Sequence, residues 1–435
     1  MMVKAFPEVS PTKKVRIVFG KIMYKWSKNS PQTAFKPLNL AFSAVAKKNR
    51  VFGNKKLLPA RAYIGDKVTK MSVVRPVRHS REAALVNIFL PCEPLHAMGL
   101  CAVVPEAISC YMTSAVAERY FVETAENGGV PETFCSYHKI MIGLAESGVL
   151  PRPAFVLNTS LACDANQVSF RRLAQFYDVP QYYIDVPSSR SEEAVQYVAD
   201  QIRGMTDFIT EHTGRKLEEE KLRQAVKYSR MTVENYEKYL DLRAERSLCD
   251  EMTSELYSAV ANHVLMGSAQ AYEYSRRLVE QTAKIPAGRT RKRIVWMHTL
   301  PNWQDALKDV LDLNDRVEIV ACDMACDNLQ PMDENHPYES LARRLVNTFF
   351  NGTALDRLEY TASLARRLHA DGVVMFCHWG CKQTLGAAAI AADFFREKGI
   401  PALILDGDGC DSANVSDGQM RTRMEAFVEQ LEGGK

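Results

Sequence analysis

Four cysteines lie next to apolar segments, at positions where a parallel α/β sheet would support chemistry. Cys163 comes after AFVLNTSLA, Cys377 and Cys381 come after GVVMF, and Cys135 lies in FCSYHK ahead of an apolar helix. Ligands of open α/β sheets bind outside the carboxyl ends of the strands. Thiolates at such places can hold zinc or iron or carry redox chemistry. We therefore expect strand-end cysteines from both halves of the chain to converge on a cleft between two domains.

Two common cysteine centres are excluded by spacing. The chain has no pair of CxxC motifs, which excludes zinc ribbons, and no CxxCxxCxxxCP run of the ferredoxin type. A dispersed iron–sulfur cluster remains open. The pair in ACDMAC has no third ligand nearby, and Cys92 is left undecided. We interpret the remaining cysteines as core thiols, since free cysteine is among the most often buried residues: Cys101, Cys110, Cys249, Cys322, Cys326 and Cys410.

Two nucleotide-binding motifs are absent from the sequence, and this limits the reactions that we expect of the chain. There is no GxGxxG and no GxxxxGK[ST], so we do not expect the chain to hydrolyse ATP itself. DGDG at 406–409 follows a predicted strand and lacks the acidic residues that complete a calcium loop. We interpret it as a turn.

Composition indicates a folded, water-soluble protein of two or three domains. The chain has 435 residues, of which 46% are hydrophobic and 25% are charged. Its most apolar stretch, Ala83 to Ala117, is interrupted by Glu93, His96 and Glu106, so we expect no membrane-spanning helix. The first residues lack the pattern of a secretory signal. A cytoplasmic protein is the expectation, with its eleven cysteines unpaired.

Charge is segregated along the chain. Residues 1–80 contain eighteen lysines or arginines against two acidic residues, Glu8 and Asp66, whereas the whole chain has a net charge of +3. Clustered positive charge attracts nucleic acid, acidic proteins or ligand phosphates, and it can also lie in a solvated arm packed on the acidic remainder. We expect no nucleic acid. We expect the arm to dock on an acidic face of this chain or of a partner subunit.

The pattern of elements predicts an α/β protein with two Rossmann- or flavodoxin-like parallel-sheet domains, joined by a helical region and preceded by a basic N-terminal extension. Apolar runs alternate with amphipathic segments on both sides of 191–285, which has helical spacing and almost no Pro or Gly. Short helices are expected over 12–60, a single helix over 338–369, and four parallel strands in the second unit. The predicted boundaries are 1–80, 81–200, 201–287 and 288–435.

Five segments together carry a family resemblance. They are LPCEPLHAMGL, FCSYHK, AFVLNTSLACDANQVSFRRLAQFYDVPQYYIDVP, ITEHTGRKLEEEKLRQAVKYSRMTVENYEKYLDLR and GIPALILDGDGCDSANVSDGQMRTRMEAFVEQLE. With them the sequence resembles the 2-hydroxyacyl-CoA dehydratase family, which includes the 2-hydroxyglutaryl-CoA dehydratase D-component and benzoyl-CoA reductase subunits. The resemblance runs from about Ala83 to the C-terminus, and nothing is carried over to residues 1–80.

The resemblance implies one [4Fe–4S] cluster held between the two α/β domains by Cys135, Cys163 and Cys381. Cys377, four residues before Cys381, leaves the identity of the third ligand open, because it could replace or supplement Cys381. Glu93 in PCEPLHAMG, and His138 and His378 beside the implied ligands, are candidate catalytic groups that handle protons. Each also has a structural interpretation, since a glutamate can cap a helix and a histidine can be a satisfied donor.

The implied function is that of the iron–sulfur subunit of a 2-hydroxyacyl-CoA dehydratase. Such an enzyme is a hydro-lyase that removes water from a 2-hydroxyacyl-CoA to give a 2-enoyl-CoA, through a ketyl radical formed after one-electron activation. The implied partners are the acyl-CoA substrate, a homologous second subunit in a heterodimer, and a separate ATP-dependent iron–sulfur activator of anaerobic metabolism. The alternatives are a cluster-dependent reductase of the benzoyl-CoA type and a non-catalytic electron-relay subunit. A protein without a cluster would instead favour a zinc or binding role.

Overall fold

Two four-stranded parallel sheets form the frame of the chain, whose computed structural model describes residues 11–433. The sheet orders are β2-β1-β3-β4 and β6-β5-β7-β8, so the two sheets repeat one flavodoxin-like order. This confirms the predicted α/β class with two parallel-sheet domains. The strands are β1 (Ala83–Val86), β2 (Cys101–Val103), β3 (Phe155–Thr159), β4 (Gln181–Ile184), β5 (Lys292–Met297), β6 (Val317–Cys322), β7 (Gly372–His378) and β8 (Ala402–Gly407).

The central strands have continuous apolar sequences, because helices cover both faces of a parallel sheet. All residues of β1, β3, β6 and β7 are buried. Strands β1 and β2 lie within the apolar stretch that begins at Ala83. The four strands predicted for the second unit are all present.

Helices supply the layers around the sheets. In the part of the chain that the structure describes, they are α1 (Pro11–Asn29), α2 (Pro31–Phe52), α3 (Pro59–Thr69), α4 (Arg75–Arg78), α5 (Glu93–Ala97), α6 (Pro105–Ser114), α7 (Arg119–Asn127), α8 (Ser136–Glu146), α9 (Asp164–Tyr177), α10 (Glu192–Thr213), α11 (Glu219–Glu245), α12 (Met252–Val264), α13 (Ala269–Thr282), α14 (Asp305–Leu311), α15 (Pro337–Asn347), α16 (Ala354–Arg367), α17 (Lys382–Leu385), α18 (Ala388–Glu397) and α19 (Asp417–Gly433). Over residues 11–433, none of the helices is both long enough and apolar enough to cross a membrane.

Helices α10 to α13 lie between the two sheets in the chain, as the composition of 191–285 predicts. Ser191 begins α10 by accepting a hydrogen bond from the Ala194 backbone, and Gly214 ends it in a left-handed conformation. Helix α10 therefore crosses the predicted boundary at residue 200.

The prediction of a single helix over 338–369 is wrong, because the segment forms two helices, α15 and α16, with a break between them. Thr353 and Asp356 form a capping box that starts α16 anew. A capping box supplies partners for free backbone N–H groups, so it favours a new helix start over continuation of the previous helix.

The basic N-terminal segment is helical and packs on the rest of the chain. Residues 1–10 of the predicted extension lie outside the described residues, and α1 and α2 are longer than the short helices expected over 12–60. Arg61 on α3 is buried and donates to Asp250 and Glu255, each at 2.5 Å. Arg16 on α1 donates to both carboxylate oxygens of Asp305, at 2.8 and 3.0 Å. Basic residues of this segment thus contact acidic residues of the same chain.

Candidate functional site

A cavity of about 1400 Å³ lies between the two sheet domains. Its wall contains Phe89 after β1, Cys163 after β3, His298 after β5 and Cys381 after β7, and α12 contributes Ala259. Each sheet has one switch point, where the order of strands reverses along the sheet. It lies between β1 and β3 in the first sheet and between β5 and β7 in the second. Ligand sites of α/β sheets lie at these switch points. The cavity therefore joins the two places where this fold is expected to bind a ligand.

The three cysteines implied as cluster ligands all line this cavity, and each is the residue that precedes a helix. Cys135 precedes α8, Cys163 precedes α9 and Cys381 precedes the short α17. Free backbone N–H groups at a helix start favour a thiolate over a thiol. No disulfide uses any of the three, since all are free.

Side-chain amides hold the loop that carries Cys163. Asn87, which follows β1, donates to the carbonyl of Leu161 at 3.0 Å, and Asn166 on α9 donates to the same oxygen at 2.6 Å. Asn87 and Asn166 are both buried. Buried amides in such bonds fix a loop because their loss would leave polar atoms without partners. The position of Cys163 is thus set by β1 and α9 as well as by its own strand.

The loop that carries Cys381 lies directly against Cys135. The Cys381 N–H donates to the His378 carbonyl at 3.0 Å, which closes a turn with Gly380 at φ +80°. A Cβ atom at Gly380 would lie 2.6 Å from the backbone nitrogen of Cys135, so only glycine allows this approach. Gln383, two residues beyond Cys381, donates to the Ala162 carbonyl beside Cys163. The three cysteine loops therefore contact one another across the domain boundary.

Burial keeps the thiols of Cys135 and Cys163 protonated in the absence of a cation. It raises the pKa of Cys135 well above its ordinary value, and the nearby Cys381 and Cys163 raise it further. Burial also raises the pKa of Cys163 to about 12, against the backbone N–H of Asn166. Thiols of this kind become thiolates when they bind a metal centre, whose positive charge offsets the cost.

The cavity is lined by thiols on three separate loops, and thiolates are the ligands that an iron–sulfur cluster takes. Within residues 11–433, no three histidine, cysteine, aspartate or glutamate side chains are arranged to hold one metal ion. The three thiols instead stand on different loops around one large cavity. A [4Fe–4S] cluster takes thiolate ligands on separate irons, so it needs ligands that surround a volume rather than a point.

Cys377 does not line the cavity, unlike the other three cysteines. It lies in β7 beside His378, is fully buried, and its thiol donates to the Thr384 carbonyl at 3.6 Å. Successive side chains of a strand point to opposite faces, and among this pair His378 lines the cavity. Of the two cysteines, Cys381 therefore lines the cavity with Cys135 and Cys163.

His378 contacts Cys135 directly. Its Nε2 lies 3.2 Å from the Cys135 Sγ, and its Nδ1 accepts a hydrogen bond from the Gly409 N–H at 2.9 Å. Burial lowers the pKa of His378 to about 4, against the attraction of Asp408, so the ring is neutral at pH 7.

His138, the third residue of α8, also lines the cavity. Burial, with the nearby His378, lowers its pKa to about 3, and its buried Nδ1 has no hydrogen-bond partner in the protein. A buried nitrogen without a partner is costly, so it is available to a ligand or water in the cavity.

Glu93 lies in a different place from the other candidate residues. It is fully buried, outside the cavity wall, and both of its oxygens accept from Arg344 on α15, at 2.6 and 2.9 Å. Ser229 on α11 donates to it at 2.7 Å. Burial opposes its charge, but Arg344 and Ser229 hold the pKa of Glu93 below its ordinary value. This geometry favours a structural ion pair, and the catalytic role stays a prediction without a contact at the cavity.

Two cavity residues were not singled out from the sequence. His298 follows β5 at φ +82°, a conformation that costs energy for a residue other than glycine. Asp323 accepts from its backbone N–H at 2.8 Å, and Arg357 contacts its Nδ1 at 3.5 Å. The strand-end rule that found the cysteines applies equally to His298, in RIVWMH.

Glu106 is the second residue that the sequence did not indicate. It follows the first residue of α6, lines the cavity, and its buried Oε2 has no partner in the protein. Burial raises the pKa of Glu106 to about 8, so the carboxyl is neutral at pH 7. It also affects the Cys163 thiol electrostatically. A neutral carboxylic acid beside the cysteines can donate a proton.

Comparisons with known proteins identify the family of this chain. The sequence model of the family "2-hydroxyglutaryl-CoA dehydratase, D-component" matches residues 87–431. The chain is 22% identical to lactoyl-CoA dehydratase subunit alpha of Anaerotignum propionicum, over 77% of this chain and 87% of that protein. It is 22% identical to the (R)-phenyllactyl-CoA dehydratase alpha subunit of Clostridium sporogenes, over 78% and 87%. It is also 24% identical to the (R)-phenyllactyl-CoA dehydratase beta subunit of Clostridium sporogenes, over 57% of this chain and 67% of that protein. The chain therefore belongs to the 2-hydroxyglutaryl-CoA dehydratase D-component family, a family of hydro-lyase subunits.

Proposed function

We propose that this chain is the iron–sulfur subunit of a 2-hydroxyacyl-CoA dehydratase, which removes water from a 2-hydroxyacyl-CoA to give a 2-enoyl-CoA through a ketyl radical after one-electron activation. The observation that carries the proposal is the meeting of Cys135, Cys163 and Cys381 around one cavity at the switch points of both sheets. Membership of the dehydratase family supports the reaction class.

The same three cysteines would hold one [4Fe–4S] cluster, and Cys377 would remain a core thiol. Bound there, the cluster would supply single electrons and an iron that acts as a Lewis acid towards a substrate oxygen. The volume of about 1400 Å³ exceeds that of most small-ligand pockets, roughly 300–1,000 Å³. It leaves room for an acyl chain beside the cysteines.

The chain's own residues would exclude water and manage protons. Phe89 and Phe350 line the cavity with their rings in edge contact, 5.0 Å between centroids, and form an apolar wall. Glu106 holds its proton at pH 7 and would give it to the leaving hydroxyl, which departs as water. The carboxylate left behind would then take up the proton that the substrate loses from its β-carbon, which restores the neutral acid for the next turnover. His138 offers an unpaired nitrogen to the substrate or to water.

The proposed partners follow from the relatives and from the reaction. The chain resembles both an alpha and a beta dehydratase subunit of one organism, which supports a heterodimer with a homologous second subunit. The reaction needs electrons of low potential, and the sequence has no phosphate loop, so a separate ATP-dependent iron–sulfur activator would supply them. We place the protein in the cytoplasm, where such an activator would meet it.

The test is anaerobic turnover of the chain with its co-expressed partner subunit and a chemical one-electron reductant. Candidate 2-hydroxyacyl-CoA substrates are incubated with the complex, and the enoyl-CoA product is measured against the reductant consumed. A dehydratase recovers its electron, so many products form for each electron supplied. Consumption of two electrons per product would support the benzoyl-CoA type of reductase instead. Loss of activity in Cys163→Ser, with full activity in Cys249→Ser, would tie the reaction to this cavity.

A further inference from the structure

His378 is bonded on both sides of its ring, and these bonds fix where its proton lies. The backbone N–H of Gly409 points at Nδ1 from 2.9 Å, so Nδ1 is the acceptor and carries no proton. In a neutral imidazole the proton must then be on Nε2. Nε2 lies 3.2 Å from the Cys135 Sγ. The ring therefore donates an N–H to the sulfur.

The surroundings hold the ring in this orientation. Trp303 donates to the Gly409 carbonyl at 2.7 Å, and Tyr137 packs edge-on against the His378 ring, 5.2 Å between centroids. Asp408 lies 3.7 Å from Nδ1, beyond hydrogen-bond distance, and its Oδ1 accepts from Ser136 at 2.5 Å. Ser136 is the residue after Cys135. The sulfur and its donor are thus fixed by one set of contacts that spans both domains.

We propose that His378 is a positioning residue whose Nε2–H donates to Cys135 Sγ and raises the reduction potential of the cluster assigned to this site. The inference rests on the proposed function only in that it requires the cluster to be present. Reduction adds negative charge that is shared with the ligand sulfurs, so a donor to one of them stabilises the reduced state more than the oxidised state. Hydrogen bonds to the sulfurs are among the factors that set cluster potentials.

Two substitutions separate the donor from the rest of the ring. His378→Asn keeps an acceptor near the Nδ1 position but removes the donor to sulfur, whereas His378→Gln keeps an amide N–H near the Nε2 position. His96→Asn is the matched control, because His96 is a second histidine with a single bond, from Nε2 to the Val264 carbonyl at 2.9 Å, outside the cavity wall. Each full-length variant is reconstituted anaerobically, and its iron content and midpoint potential are measured.

We expect His378→Asn to shift the potential downward by at least a tenfold change in the reduced-to-oxidised ratio, which is about 59 mV for one electron. His378→Gln and His96→Asn should stay close to the unmodified chain. Equal potentials in all four proteins at equal iron content would overturn the proposal.

A measurement on the unmodified chain remains decisive if the variants lose the cluster. Protein labelled with ¹⁵N in the histidine rings is reduced, and pulsed electron resonance records the coupling of ring nitrogen to the cluster. A resolved coupling is expected, and a reduced cluster without one would overturn the role of His378. If the unmodified chain binds no cluster at all, the proposed function fails before this inference is reached.

Discussion

Cys377 and Cys381 are chemically identical and four residues apart, yet their surroundings differ. Cys377 is a strand residue whose thiol is bonded to the Thr384 carbonyl, whereas Cys381 has left the strand and lines the cavity. The difference arises from the turn at Gly380, which brings the second of the two against Cys135. Spacing alone leaves the choice of third ligand open, and the turn is the observation that supports the proposal of Cys381.

Cys381→Ser should therefore abolish or strongly reduce cluster binding, while Cys377→Ser should retain about the full iron content. A serine oxygen is a poorer ligand for iron in a cluster than a thiolate. The measurement is iron and acid-labile sulfide per chain after anaerobic reconstitution. The assignment of the third ligand is wrong if the Cys377→Ser protein loses the iron and the Cys381→Ser protein keeps it.

Glu93→Gln should lower the free energy of unfolding by about 3–5 kcal/mol, because it leaves the buried charge of Arg344 without its partner. Iron content should be unchanged. The matched control is Glu192→Gln, since Glu192 pairs with the neighbouring Arg343 at the surface and exposed pairs contribute little. Urea unfolding followed by circular dichroism measures both. A stable Glu93→Gln protein that has lost turnover would instead support the catalytic role.

The raised pKa of Glu106 predicts that the free energy of unfolding depends on pH. Its folded pKa of about 8 lies above the ordinary value of 4.5, so the folded state holds the proton more tightly than the unfolded state. The contribution of Glu106 to the free energy of unfolding is therefore fully present below its ordinary pKa of 4.5, and it is lost as the pH rises to about 8. The free energy of unfolding should fall over that range in the unmodified chain and fall less in Glu106→Gln. Parallel profiles for the two proteins would show that the carboxyl is not held neutral.

The elements that carry these residues repeat between the two halves. Cys163 follows β3 and Cys381 follows β7, the third strand of each unit along the chain, while Phe89 and His298 follow the first strands, β1 and β5. Because the two sheets share one strand order, equivalent loops meet across the domain boundary. The helix starts after the three cysteines then favour thiolates when a metal centre binds.

Strand-end position was enough to predict much of this site from sequence, since apolar runs identify buried parallel strands and the residues after them face a ligand. The partner of Glu93 was not predictable in this way. Arg344 lies on α15, far along the chain, and nothing in the pattern of either segment indicates the pairing. The neutral state of Glu106 likewise depends on burial by packed elements, which composition does not report.

Helix α1 should be held on the chain by its ion pairs with the start of α14. Lys13 and Arg16 both contact Asp305. We expect Asp305→Asn to speed amide hydrogen exchange in α1, and added salt to reduce the difference, because screening weakens exposed pairs. Asp309→Asn is the control, since Asp309 lies on the same helix and pairs with Arg421. Equal exchange in α1 for both variants would mean that these pairs do not hold it.

Over the full length of the chain, both sheet domains and the helices between them contribute to one cavity, and the N-terminal helices brace that arrangement through Arg61. A centre held by cysteines of both domains would also join them. Removal of the cluster should therefore loosen the contact between the domains, in addition to abolishing the proposed chemistry.

The proposed function requires this chain to bind one iron–sulfur cluster. Anaerobic purification followed by iron and acid-labile sulfide analysis, with Mössbauer spectroscopy on ⁵⁷Fe-labelled protein, measures it. We predict a brown protein with about four irons and four sulfides per chain and the spectrum of a [4Fe–4S] cluster. A colourless protein with stoichiometric zinc and no sulfide would contradict the proposed function.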